Sequence, residues 1–421
     1  MKKSQIFFFF FLLSSINLFS QWERVTNIPV PYNTNYYLEV FFLPDDPQYG
    51  WICGYNGIVI RTTDGGETWQ GTKFSTSNGL GQLESISFLN KLIGYVSGEG
   101  KIFKSTDGGA TFQDITDRRQ VFYLWGNYFI TPDIGVVVGG GCDSVQSFFR
   151  TTDGGISWSL TRTSIPNTGL TDVILFAPEG LGYATSSGKI WRTLDGGISW
   201  SPYAVSGAED WQEDLCVKNK SFLVPFSEGC TGGNSDKGGM RMSTDDGVSW
   251  KEFKTSQPMF GTFLHDELRG WAVGWEMNVW YTRDGGNNWV LKNDGIPTGI
   301  SLDDICFVND TIGWLVGDGV YKTTLSALGI SAVSDTKTGN IFSIYPNPVS
   351  DFLNLTFGIN YATNLQINIY NELSISVFSR NTQNENIENY KIDTKNLPSG
   401  VYFCQIKADS YSETKKFIVF R

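Results

Sequence analysis

TTDGGETW, at Thr62–Trp69, decides the fold because it returns five more times. The copies are STDGGATF (Ser105–Phe112), TTDGGISW (Thr151–Trp158), TLDGGISW (Thr193–Trp200), STDDGVSW (Ser243–Trp250) and TRDGGNNW (Thr282–Trp289). Only Asn288 departs from the pattern Ser/Thr-x-Asp-x-Gly-x-Ser/Thr-aromatic. The box aspartates, Asp64, Asp107, Asp153, Asp195, Asp245 and Asp284, succeed one another at 43, 46, 42, 50 and 39 residues. Repeats of this length predict blades of short antiparallel strands set around an axis. Before each box come two or three runs of period-2 apolar alternation, which read as strands, and each box leads into a fourth. A Gly-Trp or Gly-Tyr step recurs at Gly50-Trp51, Gly94-Tyr95, Gly182-Tyr183, Gly270-Trp271 and Gly313-Trp314.

A seventh unit, Asp303–Thr324, has three strands and then Leu325 where the box should begin. Its missing strand is expected at the other end of the chain. Gln21-Trp22-Glu23-Arg24-Val25 resembles the segment that leaves each box, with Trp22 in the place of the box tryptophan. The expected fold is therefore all-β: a seven-bladed β-propeller over residues 21–325, closed by the N-terminal strand. Closure removes two sheet edges that would otherwise invite pairing with other chains.

The box itself has a sufficient structural explanation. A hairpin between the third and fourth strands needs residues that tolerate positive φ, and glycine does so without steric cost. The Asp carboxylate and the Ser/Thr hydroxyls can bond the turn's own amides, and the aromatic pins the turn to the blade. The six box aspartates are thus read as structural.

The 47 glycines and 15% aromatic content fit many short strands joined by tight turns. A formal charge of −11, with no basic patch, disfavours nucleic-acid binding. The sequence holds six cysteines and no CxxC pair, and its one histidine, His265, stands apart from other strong ligands, so neither a metal nor a cofactor is expected. Cys216 and Cys230 are the candidate disulfide, against the alternative that all six thiols are packed as small hydrophobes.

Met1–Ser20 reads as a signal peptide: Lys2 and Lys3, an apolar Ile6–Leu13, then small polar residues up to the cut after Ser20. No later segment is long and apolar enough for a transmembrane helix. Residues 326–342 are small and polar and read as a linker. Residues 343–421 change style, with short alternating runs (LNLTF, LQINIY, VYFCQIK, KKFIVF) that predict a small Ig-like β-sandwich.

Function must lie in the residues that vary between boxes. Acidic residues recur near the start of the first strand of several repeats: Glu39, Glu84, Asp172, Asp214 and Asp304, with Glu213 and Asp303 adjacent. If they converge on the channel they form a ring of carboxylates, and Glu84, Asp172, Glu213, Asp214, Asp303 and Asp304 are the candidates for general acid/base chemistry. Their spacing to the next apolar residue differs by one, which in a strand reverses the face. The competing reading makes them turn-capping acids of the repeat. Of the 14 tryptophans, Trp125, Trp211 and Trp275 are unexplained by the repeat. With Tyr123 they are the candidate ligand-binding residues, since aromatics beside carboxylates suit sugar stacking or contact with a cation. The Gly-rich Gly229–Gly239 lacks the Lys-Ser/Thr of a phosphate loop and reads as a long loop.

With six boxes in register, residues 21–325 resemble the Asp-box (bacterial neuraminidase repeat) β-propellers. That superfamily includes sialidases, xyloglucan-cleaving glycosidases, sortilin-type receptors and photosystem II assembly and stability factors; the single ring and the G-W/Y-x-x-G step look most like the last. The resemblance places the boxes at the blade periphery. The Arg-Ile-Pro segment of sialidases is missing, which argues against that activity. Residues 343–421 resemble the type A C-terminal sorting domain of the type IX secretion system, through Tyr345-Pro346-Asn347-Pro348, Leu397-Pro398-Ser399-Gly400-Val401-Tyr402 and Lys415-Lys416-Phe417. This implies a Gram-negative source, the secretion machinery as partner, and release or attachment at the cell surface. Two functions are compatible with these features: a non-catalytic module binding an extracellular protein or glycan, or a carboxylate-dependent glycoside hydrolase acting on polysaccharide.

Overall fold

The computed structural model describes residues 21–419 except 45, 75–80, 118–122, 141–146, 163–168, 177–179, 208–209, 230–236, 309–310, 329, 331–341, 347–348, 358–363, 372–374, 384–388 and 409–410. The expected signal peptide, Cys142, Cys230, Asn347-Pro348 and most of the Gly-rich loop lie outside the described residues. The chain forms two compact units, residues 1–330 and 331–421.

The first unit is built of seven four-stranded antiparallel sheets, six of them strictly sequential in strand order. Sheet 1 is representative: Tyr37–Leu43, Asp46–Gly54, Ile58–Thr62 and Gln70–Lys73. Its second strand is buried over its C-terminal half, and its last strand is the most exposed. The first strands of the other sheets, in order, are Ser85–Phe88, Leu124–Phe129, Leu170–Phe176, Cys216–Lys218, Met259–Leu264 and Leu302–Val308.

Each box forms the turn between third and fourth strands, and its hydrogen bonds explain its sequence. The Thr62 hydroxyl donates to Asp64 Oδ1 at 2.7 Å and accepts the Gly66 N–H at 2.8 Å. Thr68 donates its N–H to Asp64 Oδ1 at 2.8 Å and its hydroxyl to Oδ2 at 2.6 Å. The Thr68 hydroxyl and amide hold the Asp64 carboxyl down at about 2. The departure at Asn288 is no exception, because its side-chain amide donates to Asp284 Oδ2 at 2.7 Å in place of the hydroxyl. Both box glycines take positive φ, 70° at Gly65 and 88° at Gly66.

Sheet 7 contains Leu302–Val308, Ile312–Gly317 and Gly319–Thr324, and its fourth strand is Glu23–Arg24, paired antiparallel with Lys322 and Tyr321. Trp22 precedes that strand as a box tryptophan precedes its own. It is fully buried, donates its indole N–H to Lys292 O at 2.8 Å, and meets Trp271 edge-on at 6.4 Å. The chain termini of the repeat region are thus joined in one sheet.

The first unit extends past the expected boundary at Leu325. Leu325 and Leu328 are buried in the core shared with Trp22, and the Ile330 N–H donates to Leu325 O at 3.0 Å. Spaced apolar residues, not average polarity, decide this segment. The second unit has a three-stranded sheet (Phe342–Tyr345, Phe352–Phe357, Asn389–Asp393) and a four-stranded one running Ser376–Gln383, Asn364–Asn371, Gly400–Ala408, Tyr411–Val419. Leu353, Leu355 and Ile392 from the first share one core with Ile367, Ile369, Cys404 and Ile406 from the second.

Cys216 is a free thiol among the described residues, its candidate partner Cys230 lying outside them; it is partly buried and accepts the Leu264 N–H at 3.2 Å. Cys53, Cys306 and Cys404 are also free, and burial pushes each thiol up. His265 accepts the Trp271 indole N–H at 3.0 Å.

Replacing Trp22 with Ala removes a fully buried indole from the junction of the chain ends. A loss of about 3–5 kcal/mol is expected, measured by denaturant unfolding. An unchanged midpoint would mean the N-terminal strand does not hold the unit together.

Candidate functional site: an acidic, aromatic-rimmed bowl

The seven first strands approach one another in sequence, and two adjacent positions on them, or just before them in sheets 2 and 5, do different work. The first position carries Glu39, Ser85, Gly126, Asp172, Asp214, Gly261 and Asp304 in sheets 1 to 7. Where it holds a polar side chain, that chain accepts the backbone N–H one residue further along in the next sheet. Glu39 accepts from Ile86 and Ser85 Oγ from Asn127 at 3.1 Å. Asp172 accepts from Leu215 at 3.2 Å. Asp214 accepts from the Thr262 N–H at 2.6 Å and its hydroxyl at 2.8 Å. Asp304 accepts from Val40 at 2.9 Å, which carries the series from sheet 7 back to sheet 1. The two glycines mark backbone approach instead. A Cβ on Gly126 would stand 2.8 Å from Asp172 Cα, and one on Gly261 2.6 Å from Asp304 Cα. Glu39, Asp172, Asp214 and Asp304 are therefore clasps between sheets.

The preceding position carries Leu38, Glu84, Trp125, Thr171, Glu213, Phe260 and Asp303, and all seven line a small chamber of about 70 Å³. All but Thr171 also line a larger one of about 490 Å³. They form the collar between the two. In five sheets the collar residue is the extra residue of a β-bulge: the pairing skips Leu38, Trp125, Thr171, Phe260 and Asp303. A bulge re-aims one side chain out of the pleat, which here means into the channel. The second glycine of the G-W/Y-x-x-G step makes room for it. A Cβ on Gly54 would lie 2.3 Å from Tyr36 O, and one on Gly317 2.2 Å from Ser301 O.

The acids expected to form one ring thus split into two sets. Glu84 belongs with Glu213 and Asp303 in the collar, not with Glu39, Asp172, Asp214 and Asp304. The one-residue irregularity in their spacing separates acids that bond the next sheet from acids that do not, although both sets line the small chamber.

Burial pushes every one of these carboxyls up. Glu84 rises to about 8, with the charges of Glu213 and Glu99 adding to burial. Glu213 and Asp304 each rise to about 7. Asp303 lies well above the usual carboxylate range, through burial and then the charges of Glu213, Glu84 and Asp304. Glu39 and Asp172 are likewise held well up. Among the described residues lining either chamber there is no lysine, arginine or histidine.

The larger chamber is walled by aromatics. Trp125, Trp211 and Trp275, the tryptophans unexplained by the repeat, all line it, with Tyr36, Tyr55 and Phe260. Tyr123, 45% exposed, stacks on Trp125 at 5.3 Å; Trp211 meets Trp125 edge-on at 5.4 Å; Trp275 lies 5.4 Å from Phe260. The Tyr36 hydroxyl donates to Asp303 Oδ1 at 3.3 Å. Tyr36, Tyr55 and Asp318 do not stand out in the sequence, although Tyr36 and Tyr55 flank the strand and the glycine that build the bulge.

Residues 15–122 match the family described as photosynthesis system II assembly factor YCF48, and residues 343–420 match the secretion system C-terminal sorting domain. The first unit is a YCF48-like Asp-box propeller, and the second a type IX sorting domain. The photosystem II stability/assembly factor HCF136 of Arabidopsis thaliana is 23% identical over 335 residues, covering 72% of this chain and 78% of that protein. Its rice counterpart is 30% identical over 100 residues, 23% of each chain, so this match spans under a quarter of the rice protein. A xyloglucanase of Paenibacillus sp. is 23% identical over 318 residues, 62% of this chain and 28% of that enzyme. Among solved structures, YCF48 bound to a D1 peptide gives a TM-score of 0.55 at 18% identity, covering 73% of this chain and 97% of that one. The GH74 enzyme of Niastella koreensis gives 0.54 at 13% identity, covering 95% and 75%. At these identities the structural likeness establishes the propeller fold alone. The sorting domain indicates secretion or a cell-surface location, and among the described residues no helix is long and apolar enough to cross a membrane.

Two measurements separate clasp from collar. Asp304→Ala leaves the Val40 N–H without its acceptor and should cost about 1–3 kcal/mol of stability, whereas Asp303→Asn should leave the denaturation midpoint at neutral pH unchanged or raised. The second concerns pH. Glu84 in the folded protein keeps its proton up to about 8, while the unfolded chain releases it near the ordinary 4.5. The folded state therefore binds more protons between those values, and this stabilisation fades as pH rises toward 8. Glu84→Gln should match the wild type in Tm near pH 5 and exceed it at pH 9; parallel Tm profiles would refute a proton held there.

Proposed function

We propose that the seven sheets close as a ring, that the sorting unit is Ig-like and directs type IX export, and that the propeller is a non-catalytic binding module whose ligand enters the bowl. One observation carries the binding reading: the boxes and steps repeat from sheet to sheet, but the collar position holds six residue types in seven sheets, with only glutamate used twice. Repeated positions serve the fold, and an uneven ring of acidic, aromatic and aliphatic residues is what recognition of one asymmetric ligand requires. The aromatic wall supports this, since tryptophan and tyrosine anchor binding sites through large area and few rotatable bonds. The solved YCF48 with its D1 peptide is a propeller of this kind holding a peptide, which supports a protein ligand over a glycan.

A second reading has its own support. Glu84, raised to about 8, holds its proton at neutral pH as a glycosidase general acid must, and Glu213, raised to about 7, is partly protonated there; a xyloglucanase is among the relatives. Against it, the three collar acids sit on sheets 2, 5 and 7, and no two of those sheets adjoin. The two readings part in one assay. The protein is applied to peptide and polysaccharide arrays, and every hit is incubated and its products separated. Retention without cleavage, weakened about tenfold or more by Trp125→Ala, is expected; released oligosaccharides that vanish in Glu84→Gln or Glu213→Gln would replace the binding reading with the hydrolase.

A further inference from the structure

The charge, shape and unmet hydrogen bonding of the bowl narrow its ligand. This inference rests on the bowl being the binding site. We infer that the collar receives an organic cation, the ammonium or guanidinium of a lysine or arginine side chain presented by a peptide.

The first observation is electrostatic. Glu84, Glu213 and Asp303 face the collar, and among the described lining residues no basic side chain offsets them. They raise one another's proton affinity, and their described contribution to the fold is confined to the Tyr36 hydroxyl bond to Asp303 and the approach of Glu213 to Trp211. A chain that keeps mutually repelling, buried carboxyls gains by their presence only when a positive charge arrives.

The second observation sets the kind of cation. The three acids stand on separate sheets with Leu38, Trp125 and Phe260 between them, and among the described residues no group of three or more possible ligands could hold a metal ion. A compact, strongly hydrated ion needs several oxygens at short range. A larger, weakly hydrated cation is served by carboxylates spread around it and by aromatic faces between them. The two chambers match a head and a stem: about 70 Å³ behind the collar, and about 490 Å³ of aromatic wall in front of it.

The third observation points to a peptide. Trp211 is 5% exposed, lines the outer chamber, and its indole N–H has no hydrogen-bond acceptor, interacting with Glu213 only outside bonding geometry. A buried donor without an acceptor is costly. A ligand that carries a carbonyl oxygen behind its cationic stem satisfies it. Lysine and arginine residues have such a carbonyl, whereas a free polyamine brings only donors.

The test uses the full chain and calorimetric titration with four probes at pH 7.5: the N-acetyl methylamides of lysine, arginine and norleucine, and spermidine. Expected is saturable binding of the lysine or arginine amide at least about tenfold tighter than norleucine, weakened about tenfold by Asp303→Asn. Glu84→Gln, which removes a group that ionises as the cation binds, provides the same readout should Asp303→Asn fold poorly. Affinity should also rise from pH 6 to pH 8.5 as the collar acids ionise, with proton release on binding. Trp211→Phe should weaken the amides and leave spermidine unchanged. Norleucine binding as well as lysine would overturn the cationic ligand. Spermidine binding as tightly as the amides, indifferent to Trp211→Phe, would overturn the peptide source. Should xyloglucan oligosaccharides bind with sensitivity to Trp125→Ala but none to Asp303→Asn, the cation is wrong and the bowl still stands. Binding of any array ligand unaffected by Trp125→Ala, Glu84→Gln and Asp303→Asn alike would remove the bowl itself.

Discussion

A carboxylate on one sheet accepting a backbone N–H from the next is the interaction on which this molecule turns. Sheets in a propeller meet face to face, and apolar packing alone leaves their rotation and slip weakly specified, since hydrophobic contact has no direction. The bonds from Glu39, Asp172, Asp214 and Asp304 to amides of the next first strand fix both. They also give those amides an acceptor near the channel, where water is scarce and an unpaired N–H would be costly. Where the clasp is absent, at Gly126 and Gly261, the backbones close to contact, so the spacing is still set.

That constraint creates the site. Where a residue is committed to the neighbouring sheet, or its backbone abuts that sheet, its predecessor is left to the channel, and in five sheets a bulge leaves it without a cross-strand partner. The collar is the by-product of the clasp, repeated in each sheet and free to vary because no sheet needs it. It is also where the chain departs from local economy. Seven carboxyls without a basic residue beside them among the described residues are hard to reconcile with stability alone, and such departures concentrate where function is. The proton affinity of these groups softens the conflict, since several of them need not be charged at neutral pH.

The box aspartates are the opposite case. They too are six acids in register, yet each is saturated by its own turn and strongly ionised. A catalytic or binding carboxylate needs free lone pairs facing a cavity; Asp64 and its counterparts spend theirs on the flanking Ser/Thr hydroxyls and amides. Their contribution to function is indirect, since they hold the outer hairpins of the same sheets that carry the collar on their inner edge.

The sequence by itself determined the number and kind of sheets, because a hairpin is a local object. Box residues four apart bond one another, period-2 alternation marks strands, and the missing box at Leu325 with its counterpart at Trp22 foretells a strand shared between chain ends. It also isolated Trp125, Trp211 and Trp275, by subtracting every tryptophan the repeat accounts for. It could not assign the role of each acid. Glu84 and Asp304 look alike in one dimension, and only the pairing register shows that Asp304 reaches across to Val40 while Glu84 faces the channel. In five sheets the register turns on a bulge, opposite a glycine in four of them, and its consequence depends on how near the next sheet stands. A single residue of slip reverses a side chain, so faces are decided by tertiary packing, which is where the difference between a clasp and a ligand site was settled.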